Sequence, residues 1–178
     1  GLYNLPGYEG QAKELFYQEL TPEERLSLFA MADPEAVGAQ LITVVRALYA
    51  DMENEETDNA LLRAMAQPLE NVDDVRAGNL ANEIEQWLKG RELYDAGEYQ
   101  QAITVYNVVI ELVNDHNPGI YFDRGLAFAS MGEAESTLVD FERVLELDEE
   151  RRQQIEQVII GNSDLYNAVI TSDNQYPA

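Results

Sequence analysis

Cysteine and histidine, two residue types common in catalytic sites, are absent or nearly absent from this sequence. The 178 residues contain no Cys and one His, which excludes disulfides, thiolate nucleophiles and cysteine-based zinc sites. His116 follows Asp115, an arrangement that general-base chemistry can use, but no nucleophile motif such as Gly-x-Ser-x-Gly accompanies the pair. We therefore interpret His116 as a turn residue. The sequence predicts no catalytic residue and a protein that is not an enzyme.

Acidic side chains are the abundant candidates for metal binding. They cluster at residues 53–58, 73–74 and 146–150. None of the clusters has the alternating spacing and the loop glycine of an EF-hand. Solvated helix ends, where acids suit the helix dipole, are the simpler interpretation. The sequence accordingly predicts no metal site and no cofactor.

The charge of the chain restricts its partners. Asp and Glu number 34 against 11 Lys and Arg, so the net charge is −23, while 46% hydrophobic residues suffice for a core. Such a surface repels phosphate backbones and anionic lipids. We therefore expect no nucleic acid partner and no direct binding to an anionic membrane surface. The remaining class of partner is a protein or peptide.

Helix signals run along the chain, and strand signals are nearly absent. Thr21 and Glu24 have the spacing of a capping box around Pro22, and Asp33-Pro34 repeats the start signal. The β-branched run at residues 42–45 falls within a 3.6-residue periodicity. These patterns predict an all-α fold, with an irregular segment at 1–10 and an N-terminal helical region at 11–80.

A repeat begins in the second half of the chain. Residues 90–112 aligned on residues 125–147, a shift of 35, give six identities, and apolar positions stay in phase. The identical pairs include two pairs of glycines, Gly90/Gly125 and Gly97/Gly132. Glycines in the first pair are predicted to let two helices approach closely. The glycines of the second pair are predicted to end a helix, at a position where the residue adopts the left-handed backbone conformation.

These residues resemble the tetratricopeptide repeat (TPR), a helix–turn–helix unit of about 34 residues. The first copy carries Leu93, Gly97-Glu98-Tyr99, Ala102 and Tyr106, and the second carries Phe128, Gly132-Glu133 and Phe141. The second copy departs from the family at Ala134 and Thr137, and Pro118 comes later than the family's closing proline. The resemblance implies a TPR-like α-solenoid of antiparallel helix pairs.

Two repeats bury too little surface to be stable alone, so both ends need covering. We expect two TPR-like repeats within 81–148 (about 84–117 and 119–148), capping helices at 149–171 and a tail at 172–178. Ile155, Val158 and Ile159 share one face of the expected cap. The helical region at 11–80 is expected to pack on the repeats from the other side.

The resemblance also implies a partner-binding groove formed by the first helix of each repeat. Transferred position by position, this groove consists of Ile84, Trp87, Arg91, Tyr94, Asp95, Phe122, Leu126 and Ser130. TPR members that hold a peptide carboxylate use Lys and Asn at such places, and this sequence has none there. The hypothesis is an aromatic groove for an apolar peptide or helix, with Arg91 pairing an acidic group.

Two alternatives remain open. The chain's own N-terminal helices could fill the groove. A different class of function, a small-ligand or glycan-binding envelope protein, would have its pocket between the N-terminal helices and the repeats. By analogy with TPR proteins of this size, we expect an exported or envelope-associated bacterial protein rather than a cytoplasmic one.

Overall fold

A computed structural model describes residues 21, 24, 27–29, 41–46, 59–113 and 117–173. Within these ranges every regular element is helical, which confirms the predicted all-α class. The helices are α1 (Asn59–Leu69), α2 (Val75–Asp95), α3 (Tyr99–Val113), α4 (Pro118–Ser130), α5 (Ala134–Leu147), a 3-10 turn (Glu149–Arg151), α6 (Arg152–Gly161) and α7 (Ser163–Asp173). The chain forms two compact units, Gly1–Leu88 and Lys89–Ala178, that divide within α2.

In the first unit, the helix starts follow the local signals of the sequence. Thr21 N donates to Glu24 Oε2 at 2.9 Å and Glu24 N donates to Thr21 Oγ1 at 3.3 Å, which confirms the capping box. Residues 27–29 and 41–46 are helical, as expected. The irregular segment predicted at 1–10, residues 11–20 of the predicted helical region and the predicted turn residue His116 lie outside the described residues. Their assignment stays a prediction.

Helices α1 and α2 are separated by a short acidic connection. α1 contains Pro68 and ends one residue after it. Asp74 then starts α2, because its Oδ1 accepts a hydrogen bond from Arg76 N at 2.8 Å. Hydrogen bonds from the Arg76 side chain and backbone lower the pKa of Asp74 to about 2. This acid of the 73–74 cluster therefore serves as a helix cap.

In the second unit, the two helix–helix joints have the same geometry 35 residues apart. Gly97 and Gly132 both have φ 78°, the left-handed conformation predicted for them. Glu98 N donates to the Leu93 carbonyl at 2.9 Å, and Glu133 N donates to the Phe128 carbonyl at 3.0 Å. This 6→1 hydrogen bond is that of a Schellman helix end. The joints confirm the register of the repeat.

The other glycine pair marks the closest packing within each repeat. A Cβ built on Gly90 would lie 2.7 Å from Tyr106 Cδ1, and one built on Gly125 would lie 2.8 Å from Phe141 Cε1. Both rings are almost fully buried. The predicted close approach is therefore made by an aromatic ring of the second helix lying on a bare backbone of the first.

Two departures from the family pattern have a structural reason. Pro118 does not close the first repeat; it stands in the first turn of α4, capped by Asn117, whose Oδ1 accepts from Gly119 N at 2.9 Å. Proline suits that position because its missing N–H would have no helical partner there. Thr137 is fully buried where the first copy has Ala102, and its hydroxyl donates to the Glu133 carbonyl at 2.9 Å.

The helices after the repeats share a core with them. α4 packs on α3 and α5, and α7 packs on α5 and α6. Ile155 of α6 and Leu165 of α7 are buried in the same cluster as Phe141 and Val144 of α5. Val158 and Ile159 pack against this cluster in a partly buried position. The apolar face noted in the sequence is thus turned toward the repeat.

Candidate functional site on helices α2 and α4

The eight residues of the sequence-predicted groove differ in how far they reach the surface. Ile84 and Trp87 are fully buried and belong to the first unit. Phe122, in the second unit, is 4% exposed. The remaining five are partly or fully exposed and all lie in the second unit: Arg91, Tyr94, Asp95, Leu126 and Ser130. We call these five residues the α2–α4 surface.

A hydrogen bond joins the two helices of this surface. The hydroxyl oxygens of Tyr94 on α2 and Ser130 on α4 lie 3.3 Å apart. Ser130 Oγ also donates to the Leu126 carbonyl at 2.9 Å, which uses its only proton. Tyr94 is therefore the donor to Ser130. Residues predicted from separate repeats are thus brought together by direct contact.

Aromatic packing fixes the Tyr94 ring beside the joint of the first repeat. Its centroid lies 5.3 Å from that of Tyr99, with the ring planes inclined at 57°. Tilted pairs at this separation are favourable because the edge of one ring meets the face of the other. The hydroxyl of Tyr94 is consequently held at a defined position on the α2–α4 surface.

A charged group that the sequence analysis missed lies behind this surface. Asp123 on α4 is 9% exposed. Burial, followed by the charge of Asp123, raises the pKa of the Tyr106 phenol, whereas the charge of Arg91 lowers it. Asp123 and Arg91 are therefore both close enough to act on the same buried phenol. The sequence did contain an indication that Asp123 is buried, because the shift of 35 residues aligns Asp123 with Leu88, which is itself buried.

A second feature that the sequence analysis missed links α4 to α3 and α5. The Arg124 guanidinium donates to both carboxylate oxygens of Asp140 on α5, at 2.8 and 2.6 Å, and to Asn107 Oδ1 on α3, at 2.7 Å. Asp140 is 2% exposed. Burial raises its pKa, and the hydrogen bonds from Arg124 act in the opposite direction. One side chain therefore links α3, α4 and α5.

Acidic side chains of the cluster at 146–150 make hydrogen bonds and ion pairs near the end of α5 and the start of the 3-10 turn. Asp148 Oδ1 accepts from Glu150 N at 3.1 Å and its other oxygen pairs with Arg151, while Glu146 pairs with Arg143 at 2.7 Å. In the part of the chain that the structure describes, no three His, Asp or Glu side chains are grouped to hold a metal ion. Across the same residues, no helix combines the length and apolar character needed to cross a bilayer.

Comparison with known proteins agrees with the geometry of the joints. Residues 90–132, from the first packing glycine to the second joint, match the family model for the TPR repeat. No curated protein and no solved structure matches the chain. Together with the helical structure, the match identifies a TPR-containing protein. TPR repeats generally mediate protein–protein interactions and are typically non-catalytic scaffolds.

Proposed function

We propose that this protein is a non-enzymatic interaction scaffold that binds a peptide or helix of a protein partner on the α2–α4 surface. The observation that carries the proposal is the hydrogen bond between Tyr94 and Ser130, 3.3 Å long. It aligns the first helices of two successive repeats. These are the helices on which TPR proteins usually bind their partners.

The composition of the surface supports a peptide rather than a purely apolar ligand. Leu126 offers a partly buried apolar contact, and the hydroxyls of Tyr94 and Ser130 offer hydrogen bonds. Arg91 adds a guanidinium with five donors, enough to keep its present interaction and still receive an acidic group. Tyr and Arg are enriched among the residues that dominate binding energy.

The buried aromatic residues of the predicted groove take a different part in this proposal. Trp87 and Phe122 support the helices from inside and are not themselves docking positions, because neither is accessible. Phe122 stacks on Phe141, with centroids 5.5 Å apart and planes inclined at 23°. The apolar contact available to a partner is therefore smaller than the sequence indicated.

The small-ligand alternative has one feature in its favour. A cavity of about 380 Å³ opens between α1 and α2, within the range of small-molecule sites. Its lining consists of aliphatic, amide and charged side chains from residues 62–88 rather than the aromatic rings on which sugars commonly stack. The glycan version of that alternative is therefore the less favoured one.

Site-directed photo-crosslinking tests the scaffold proposal. A photoreactive amino acid at Leu126 or Ser130 should capture the same protein, identified by mass spectrometry, and one at Glu156 on α6 should not. The purified partner should then bind the Y94A and R91A variants at least about tenfold more weakly than the wild-type chain. The proposal is contradicted if both variants bind the partner as tightly as the wild-type chain does. It is also contradicted if no protein is captured from either position.

A further inference from the structure

The cavity between α1 and α2 has an apolar floor and a polar rim. Leu62 and Ile84 are fully buried at its base, and Ala66 and Leu88 are almost so. The rim consists of exposed side chains: Arg63 and Gln67 on α1, Glu70 directly after α1, and Glu85 on α2. A side chain that enters this cavity thus needs an aliphatic part for the floor and a polar end for the rim.

Two carboxyl groups on the rim interact with each other. Glu70, the residue after α1, and Glu85 on α2 are hydrogen-bonded through their side chains, and this bond raises the pKa of Glu85 above its ordinary value of 4.5. Burial and the negative charge of Glu70 raise it further. Two carboxyl groups can form such a bond only when one holds a proton. The charged form of the pair places two like charges together, which is unfavourable.

The cation on the same rim is already engaged. Arg63 has an interaction within the chain, so it is not available as a free cation. The influences on the pKa of Glu85 are its bond to Glu70, burial and the charge of Glu70. A positive group placed between Glu70 and Glu85 would favour their charged forms and relieve the repulsion between them.

We propose that this cavity binds a lysine or arginine side chain of a protein partner, with the stem on Leu62 and Ile84 and the cationic end between Glu70 and Glu85. Long basic side chains bury their methylene groups on apolar surfaces while the charge stays at the rim. The net charge of −23 attracts basic partners from a distance and disfavours a second copy of this chain as the occupant. This docking point is independent of the α2–α4 surface.

A matched pair of peptides tests the proposal on the full chain. The first probe is an acetylated and amidated peptide, Ala-Leu-Ala-Arg-Ala-Leu-Ala, and the second has citrulline, a neutral isostere, in place of arginine. Binding is followed by the methyl NMR signals of Leu62, Ile84 and Leu88. We expect the arginine peptide to shift these signals in a saturable manner and the citrulline peptide to bind at least about tenfold more weakly.

The protein variants complete the test. The double variant E70Q/E85Q keeps the shape of the rim and should weaken binding of the arginine peptide at least about tenfold. The control E156Q removes one exposed acid on α6 and should bind like the wild-type chain. Circular dichroism verifies that all three chains are folded. Equal binding of both peptides, unchanged binding by the double variant, or shifts confined to residues 91–130 each overturn the proposal.

Discussion

The ring of Phe141 lies directly against the backbone of Gly125. A Cβ built on that glycine would stand 2.8 Å from Phe141 Cε1, 3.0 Å from Cδ1 and 3.4 Å from Asp140 Cβ. Real Cβ atoms do not approach a ring carbon so closely, and Phe141 is 2% exposed and enclosed by its neighbours. The packing of α4 on α5 therefore depends on the absence of a side chain at this position.

The first prediction concerns that glycine. Gly125→Ala should lower the free energy of unfolding by about 1–3 kcal/mol, because the added methyl group forces apart two packed helices. Gly78 in α2 is the matched control, since a Cβ there meets nothing within 4 Å. Gly78→Ala should stabilise the chain by about 0.5–1 kcal/mol. Urea denaturation measures both, and equal effects would contradict the packing argument.

The second prediction concerns the joints. Gly132→Ala should cost about 1–2 kcal/mol, because L-residues with a Cβ are strained at φ 78°. Gly97→Ala should cost a similar amount, since Gly97 has the same φ. Gly132→Asn should cost less, because asparagine adopts the left-handed region more readily. Thermal denaturation of the three variants measures these costs. The prediction is wrong if both alanine variants are as stable as the wild-type chain.

The third prediction concerns the buried carboxylate held by Arg124. Arg124→Met should destabilise the chain by about 2–4 kcal/mol near neutral pH, since it leaves Asp140 buried without its cation. Arg152 pairs with Glu149 at 3.3 Å in an exposed position, and Arg152→Met should cost at most about 1 kcal/mol. Urea titrations compare the two variants, and a cost for Arg124→Met no larger than for Arg152→Met would be the contrary result.

The loss in Arg124→Met also depends on pH. Burial already raises the pKa of Asp140 above 3.8, and removing Arg124 raises it further. A raised carboxyl pKa contributes stability that is present below the unfolded pKa and lost as pH rises through the folded pKa. The defect of Arg124→Met should therefore be smallest in acid and grow toward neutral pH. A defect that is constant from about pH 4 to 8 would exclude Asp140 as its cause.

The fourth prediction uses the single tryptophan. Trp87 is fully buried, so its emission should be blue-shifted and protected from acrylamide. Blue-shifted and protected emission would indicate that the predicted groove is filled internally or closed around Trp87. Red-shifted emission with efficient quenching in the folded chain would instead indicate an open aromatic groove.

The fifth prediction concerns Glu85. Its pKa should lie above 4.5, and Glu70→Gln should lower it, because the substitution removes the carboxyl partner of its hydrogen bond and the neighbouring negative charge. Carboxyl NMR titration measures the pKa directly. Glu142→Gln, an exposed acid on α5, is the control and should leave the pKa of Glu85 unchanged. A pKa of Glu85 that is the same in the Glu70→Gln variant would show that Glu70 is not its partner.

The features predicted correctly from the sequence are those set by near neighbours along the chain. The capping box of Thr21 and Glu24, the left-handed glycines and the shift of 35 residues depend on the backbone conformation of a few adjacent residues. The close packing at Gly125 was also readable, because a glycine recurs opposite an aromatic residue in both copies.

The features that were missed depend on which side chains meet across helices. Nothing local distinguishes Arg124, which holds Asp140, from Arg143, which makes an exposed pair. The burial of Asp123 could be expected only from its alignment with Leu88. The groove hypothesis placed Trp87 and Phe122 on an accessible surface, and filling of the groove by the N-terminal helices was the open alternative. Both residues are buried, and helix periodicity alone does not separate an interior face from an accessible one.

The matching joints at Gly97 and Gly132 bear on how such a chain can lengthen. A stretch from Glu98 through Gly132 follows one left-handed glycine, Gly97, and ends on another with the same φ. A tandem copy of that stretch, spliced in after Gly132, would therefore enter and leave through connections that the polypeptide already makes. Growth by gene duplication would need new side chains at the added contact, but no newly evolved turn.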